Sequence, residues 1–123
     1  MEKFIKKYNH KGIKDNGCVI SEEFKTFCKD FKKAMTKVLP EDTKIVKMSV
    51  GHYDLSGFIQ KGNNYYYFSY NVPRDEMPLN FNDRSAFFGV LFRTAKNTRD
   101  YTGGRNNFTS VIGLKNFLVD FII

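Results

Sequence analysis

The segment of residues 93–108, RTAKNTRDYTGGRNNF, has the side chains best suited to hold an anion. It contains three of the chain's five arginines and the adjacent pair Gly103 and Gly104. Glycines let backbone N–H groups approach a ligand, and a guanidinium matches the geometry of phosphate or carboxylate. We therefore predict a partner or anion site in this segment. Its candidate residues are Arg93, Lys96, Arg99, Tyr101, Gly103, Gly104, Arg105, Asn106 and Asn107.

A purely structural interpretation of the same segment is also open. In that interpretation Gly103 and Gly104 permit a tight turn, and the two asparagines satisfy backbone groups. The arginines would then be paired with Asp100 or with other acids. The sequence does not decide between the binding interpretation and the structural one.

A second basic surface is predicted on a helix near the N-terminus. Its lysines fall opposite the apolar positions of that helix and could follow a phosphate backbone. A solvated helix face is the other interpretation of such a pattern. The lysines are Lys25, Lys29, Lys32, Lys33 and Lys37.

Residues that could support catalysis are few. His52 and Asp54 lie two apart, so they would share a face of a regular strand and could act as base and orienter, as in a metal-dependent nuclease. Such a pair is equally typical of a solvent-facing strand. His10 has no companion, and Cys18 and Cys28 show neither zinc nor disulfide spacing. We predict a protein that is not an enzyme and has no metal and no cofactor.

The run Tyr65 to Tyr70, YYYFSY, could stack unpaired bases if it forms a strand with one exposed face. Alternation would place Tyr66, Phe68 and Tyr70 on one side and Tyr65 and Tyr67 on the other. One set is expected in the core. The exposed set could stack bases, although tyrosine is also simply favoured in strands.

The helices and strands that position these residues can be predicted from the sequence pattern. Ser21 before two glutamates is typical of a helix start, and Pro40 ends the apolar pattern that follows. The sequence predicts a helix over residues 22–39 with the apolar face Phe24, Phe27, Cys28, Phe31, Ala34, Met35 and Val38. The segments KIVKMSV, YDLSGFIQ, YYYFSYNV and FFGVLFR predict strands, with KGNN as a hairpin turn. Ser110 predicts the N-cap of a last helix with the stripe Val111, Leu114, Leu118 and Ile122.

These elements give the order α-β-β-β-β-α. The expected fold class is α+β, with an antiparallel four-stranded sheet and helices packed on one face. One domain is expected over residues 1–123. It comprises a polar lead-in (1–20), a helix (21–39), the sheet (44–93), a Gly/Arg/Asn loop (94–109) and a helix (110–123).

Composition narrows the class of partner. The chain has 123 residues, 41% of them hydrophobic, and a formal net charge of +7, which favours acidic partners such as nucleic acid. It contains neither an apolar run of ~18 residues nor a secretory signal, so we expect a cytoplasmic protein with no membrane partner. The apolar C-terminus FLVDFII also predicts a homodimer contact through the last helix.

Three blocks of the sequence form a recognisable set: YDLSGF at 53–58, RTAK at 93–96 and DYTGGRNNF at 100–108. Together they resemble a small domain of phage and conjugative-element proteins of Gram-positive bacteria. The resemblance covers residue 44 to the C-terminus and transfers no catalytic role. It implies a mobile-element origin. Small stand-alone proteins of that origin are often counter-defence factors, such as anti-CRISPR proteins that inhibit by binding.

The leading hypothesis is a non-catalytic inhibitor that binds a host defence nucleoprotein, such as a CRISPR effector, or its nucleic acid, through residues 93–107. Because the chain is basic, it could not imitate DNA by charge. The alternative is a basic nucleic-acid-binding accessory module of a mobile element, whose binding would weaken on substitution of Lys25 or Lys29.

Overall fold

The computed structural model describes residues 1–8, 13–14, 16–17, 19–72 and 89–122. The helices are α1 (Glu2–Tyr8), α2 (Glu22–Val38) and α3 (Leu114–Phe121). The strands are β1 (Thr43–Val50), β2 (Asp54–Lys61), β3 (Asn64–Asn71), β4 (Val90–Ala95) and β5 (Asn107–Thr109). All five strands form one antiparallel sheet in the order β1-β2-β3-β4-β5. The fold class is α+β.

Helix α2 lies where its sequence pattern predicts. The Ser21 hydroxyl accepts a hydrogen bond from the backbone N–H of Phe24 at 3.1 Å, and the helix ends two residues before Pro40. The predicted apolar face is buried except for Val38, which is half-buried. Burial raises the pKa of the Cys28 thiol to about 11. The thiol is therefore protonated at neutral pH and packs as a small apolar group.

Helices α2 and α3 pack on one face of the sheet. In α2, the Phe27 ring lies 5.9 Å from that of Tyr70 on β3. In α3, the Phe121 ring lies 5.4 Å from that of Tyr66, which is on the same side of β3. We call this side the helix face. The opposite side, called the open face, bears Lys47, Phe58, Tyr67, Arg93 and Phe108.

The sheet has five strands, so the prediction of four is wrong by one. The fifth strand covers only Asn107–Thr109, at the end of the segment predicted as a loop, and it pairs Thr109 with Val90. Three residues after a Gly-Gly turn are too few to show alternation in the sequence. Strand formation here depends on the neighbouring edge of β4.

The segment predicted as a polar lead-in contains a helix. Helix α1 buries Phe4 and Tyr8, whose rings lie 5.3 and 4.8 Å from Phe27 of α2. Two apolar residues four apart among lysines are a weak helical signal. Packing against α2 supplies the stability that seven residues lack on their own.

Helix α3 begins later than predicted. Ser110 accepts a hydrogen bond from the backbone N–H of Gly113 at 3.0 Å, so it caps the turn before the helix, which starts at Leu114. The predicted stripe is buried: Val111, Leu114, Leu118 and Ile122. Phe117 and Phe121 also pack, at 5.1 and 5.9 Å from the ring of Phe92. This helix therefore uses most of its apolar surface within its own chain.

Some sequence predictions fall outside the described residues. These concern the loop PRDEMPLNFNDRS, the first two residues of FFGVLFR, His10 and Cys18. Within the described residues, no helix has the length and apolar character needed to cross a membrane.

Tyr53 ties the chain before α2 to the turn between β1 and β2. Its backbone adopts a left-handed conformation, with φ of 60°, and its ring lies 4.8 Å from that of Phe24. The hydroxyl accepts hydrogen bonds from the backbone N–H groups of Asn16 at 2.9 Å and Ser21 at 3.2 Å. One buried hydroxyl thus satisfies two donors from a distant segment.

Tyr53→Phe is expected to lower the free energy of unfolding by about 2 kcal/mol, because it leaves partly buried N–H groups without an acceptor. Urea denaturation measures this change. Tyr65→Phe is the matched control, since among the described residues the half-buried Tyr65 hydroxyl bonds only to the side chain of Gln60, at 3.2 Å. Equal effects of the two substitutions would contradict the role given to Tyr53.

Candidate partner-binding surface

The three sequence blocks meet on the open face of the sheet. The loop after β4 folds back so that the Tyr101 ring lies 5.3 Å from Phe58 and 5.7 Å from Tyr67. Phe58 is completely buried, although it lies on the side of β2 away from the helices. Residues 96–106, called the clamp loop, therefore form the cover of the open face within the described part of the chain.

Arg93 holds the clamp loop to β4. Its Nε donates to Asn106 Oδ1 at 2.6 Å, and its Nη1 donates to the backbone carbonyl of Tyr101. The guanidinium carbon also lies 5.6 Å from the centre of the Tyr67 ring. The structure thus uses Arg93 and Asn106, two predicted binding residues, inside the loop. The structural interpretation paired Arg93 with an acid and Asn106 with backbone groups, whereas in the structure the two side chains bond to each other.

Lys47 is part of this arrangement and was absent from the predicted set. Its Nζ donates to Tyr101 Oη at 2.9 Å and to the Thr98 carbonyl at 3.3 Å. A β-bulge between Ile45 and Lys47 shifts the strand register and places Lys47 opposite Phe58. Plain alternation along KIVKMSV gave no signal of this shift.

The Asp100 side chain stabilises the turn that contains Gly103 and Gly104. Its carboxylate accepts hydrogen bonds from the backbone N–H groups of Lys96 at 2.9 Å, Gly103 at 2.8 Å and Thr102 at 3.4 Å. The bond from Lys96 and then that from Gly103 hold the pKa of Asp100 below its usual value. The chain's own carboxylate thus occupies the Gly103 N–H group that was predicted to face an external anion.

Gly104 is required where the clamp loop crosses β4. Its φ is +77°, and a Cβ atom added there would lie 2.6 Å from the carbonyl oxygen of Thr94. Only glycine combines this conformation with so close an approach to backbone. Gly104 therefore shapes the loop.

Three cationic side chains of the clamp loop do not bond within it. Lys96, Arg99 and Arg105 are exposed, and no hydrogen bond or ion pair engages their side chains within the described residues. The Tyr101 ring is 43% exposed, and the Asn107 amide is turned to the Arg105 carbonyl at 2.9 Å. The predicted set thus divides into residues that build the loop and three cations that the loop displays.

The lysines of α2 form a separate surface on the other side of the molecule. They are all exposed and point away from the sheet, because the opposite side of α2 is buried against it. Of the acids of α2, Glu22 pairs with Lys25 of this surface, Glu23 accepts from the backbone N–H of Lys14, and Asp30 bonds to Lys7 and Tyr8. No ion pair involves Lys29, Lys32, Lys33 or Lys37 in the described regions.

His52 and Asp54 do not form the pair that a regular strand would give. The left-handed Tyr53 separates them, and β2 starts only at Asp54. No hydrogen bond joins their side chains, and the His52 ring packs edge-on against Tyr53 at 4.8 Å. Among the residues with described positions, no three His, Cys, Asp or Glu side chains are grouped as a metal site would need.

Comparisons of the chain with protein-family models, with curated proteins and with solved structures gave no match. The two basic surfaces are therefore the features of the chain that indicate a function. The resemblance to domains of mobile elements stays a prediction.

Proposed function

We propose that the protein is a non-catalytic inhibitor that binds a host defence nucleoprotein, such as a CRISPR effector, through its clamp loop. The observation that carries this proposal is the exposure of Arg99 and Arg105 on a loop whose shape is fixed from beneath. Arg93, Lys47 and Asp100 all contribute bonds to that shape. A loop fixed before binding loses less conformational freedom when its partner arrives.

The class of partner follows from charge and from the sequence resemblance. The exposed charged side chains of the loop are cationic, while its one carboxylate is bonded to backbone N–H groups. An anionic surface on a nucleoprotein complements this arrangement, whether that surface is nucleic acid or acidic protein. The resemblance to mobile-element domains supplies the biological class of target, a host defence system.

The test is inhibition of target cleavage by a purified RNA-guided CRISPR nuclease from a Gram-positive host. We expect the wild-type protein to inhibit cleavage. The double substitution Arg99→Ala and Arg105→Ala should weaken inhibition about a hundredfold or more, because each charged contact is worth about 1.5–3 kcal/mol and about 1.4 kcal/mol corresponds to tenfold. The matched control removes two charges from the other side, by Lys29→Ala and Lys32→Ala. Absence of inhibition by the wild-type protein, together with no protection of phage in plaque assays, would remove the proposal.

One observation favours the alternative, a nucleic-acid-binding accessory module. Lysines three and four apart on a helix repel each other, and four of those on α2 form no ion pair within the described chain. A phosphate backbone lying along α2 would relieve that repulsion. In this case the substitutions at Lys29 and Lys32, and not those in the clamp loop, would weaken binding to free duplex DNA.

A homodimer through α3 also remains a proposal. Ile112, just before this helix, is 53% exposed, and Val119, within it, is 60% exposed. The aromatic side chains of α3 pack within the chain. The remaining apolar surface is small for a stable dimer. Sedimentation velocity tests this proposal. A sedimentation coefficient that matches a monomer at every protein concentration would exclude the contact.

A further inference from the structure

Two exposed aromatic side chains lie on the open face. Tyr101 is 43% exposed in the clamp loop, and Phe108 is 58% exposed on β5. Phe108 is paired with Leu91, so it points away from the helix face on which Val90 and Phe92 are buried. The other exposed large apolar side chains of the described residues are aliphatic: Val19, Val50, Ile112 and Val119.

Basic groups accompany these two rings. Arg105 lies between them in the chain, Arg99 and Lys96 precede Tyr101, and Lys47 bonds to the Tyr101 hydroxyl. Asp100 is the acid of the clamp loop, and its carboxylate is directed at three N–H groups. The surface therefore combines exposed aromatic faces with uncompensated positive charge.

We infer that the open face binds single-stranded nucleic acid, with bases stacked on Tyr101 and Phe108 and phosphates contacting Lys96, Arg99 and Arg105. The inference rests on the proposed function, because it assigns the contact to the nucleic-acid strand of the nucleoprotein. Sheets with aromatic side chains beside basic residues take unpaired bases, whose faces are free to stack. The stacked bases of a duplex would leave both rings without a partner, and an acidic protein would engage only the cations.

The stacking residues differ from those that the strand pattern indicated. Tyr67 is covered by the Tyr101 ring and the Arg93 guanidinium, and the Tyr65 hydroxyl accepts from Gln60. Their rings are only half-exposed. The loop and the edge strand, and not β3, thus present the aromatic surface.

Fluorescence anisotropy with labelled 12-nucleotide oligo-U and oligo-dT strands tests the inference, and a hairpin duplex is the comparison ligand. We expect single strands to bind more tightly than the duplex, with affinity that falls as salt rises. Phe108→Ala should weaken single-strand binding about tenfold, since one stacked base is worth that much or more. Val119→Ala removes an equally exposed side chain from α3 and should leave binding unchanged.

The contacts of the two arginines can be recognised from the salt dependence of binding. Arg99→Ala combined with Arg105→Ala should weaken binding and reduce the slope of log affinity against log salt by roughly 1.4 for a single strand. Equal affinity for duplex and single strand, or unchanged binding by Phe108→Ala, would overturn the inference. Thermal melts of each variant establish that the fold is intact.

The outcome separates this inference from the proposed function. If the wild-type protein inhibits the nuclease but binds no single strand, the partner is the protein surface of the nucleoprotein, and only the inference fails. If Phe108-dependent single-strand binding occurs without inhibition of the nuclease, the proposed function fails and the inference stands.

Discussion

Phe58→Ala is expected to lower the free energy of unfolding by about 3 kcal/mol and to free the clamp loop from the sheet. Phe58 is fully buried because the Tyr101 ring covers it from the solvent side and Tyr67 lies beside it. Removing the ring leaves a cavity under the loop. Tyr101 then loses one of the two rings that support it, and the loop is held by its contact with Tyr67 and by the hydrogen bonds of Lys47 and Arg93.

Two measurements test this prediction. Urea denaturation gives the loss of stability, and amide hydrogen exchange at Lys96 and Gly103 reports whether the loop opens more often. Phe108→Ala is the matched control, because it removes the same side chain from an exposed position of the same face and should change stability by about 0.5 kcal/mol or less. Similar losses for both variants would mean that the loop does not shield Phe58.

The link between Phe58 and Tyr101 also shows what the sequence could predict. Alternation along YDLSGFIQ places Tyr53, Leu55 and Ile59 on one side, and all three are buried. Period-two alternation places Phe58 on the other, solvent-facing side. Its burial depends on a loop about forty residues further along the chain, and local periodicity contains no information about that contact.

Helices differ in how far they can be predicted. Helix α2 has a side-chain cap, acids in its first turn, a long apolar stripe and a proline after its end, and these signals agree. Helix α1 has seven residues and depends on Phe27 of α2. Its formation is a tertiary effect, which explains why the lead-in gave no clear pattern.

The sequence did not predict which residues of the candidate segment bond within the loop and which are exposed. The segment was chosen because it is rich in arginine, glycine and asparagine, and it does form one compact arrangement. Arg93 and Arg105 have the same chemistry, yet the first bonds to Tyr101 and Asn106 whereas the second is exposed. Only the path of the backbone over β4 distinguishes them.

This division has a physical consequence for binding. Charged side chains on a mobile loop must be ordered by the partner, at a cost of about 0.5–1.5 kcal/mol for each side chain. In the clamp loop the backbone is already fixed by Arg93, Asp100 and Lys47. The order of the loop and its affinity for an anionic partner are therefore coupled, and disturbing the loop should weaken binding even when Arg99 and Arg105 are intact.

Gly104→Ala tests that coupling. The alanine Cβ would meet the Thr94 carbonyl oxygen at 2.6 Å, so the loop must move away from β4. We expect binding to the nucleoprotein to weaken about tenfold or more, because Arg105 is displaced and one charged contact is worth about 1.5–3 kcal/mol. The chain retains every cation, so the loss would come from geometry and not from charge.

Gly62→Ala provides the comparison that isolates this cause. Gly62 also has a positive φ, of 59°, but a Cβ there meets nothing within 4 Å, and the residue lies in the hairpin turn between β2 and β3. Both substitutions strain the backbone by about 1–2 kcal/mol, whereas only the one at Gly104 collides with β4. Comparable stability of the two variants together with weak binding by Gly104→Ala alone would establish that the loop conformation supplies affinity. If Gly104→Ala binds as the wild-type protein does, the displayed cations act without a preformed loop, and their charge alone accounts for the interaction.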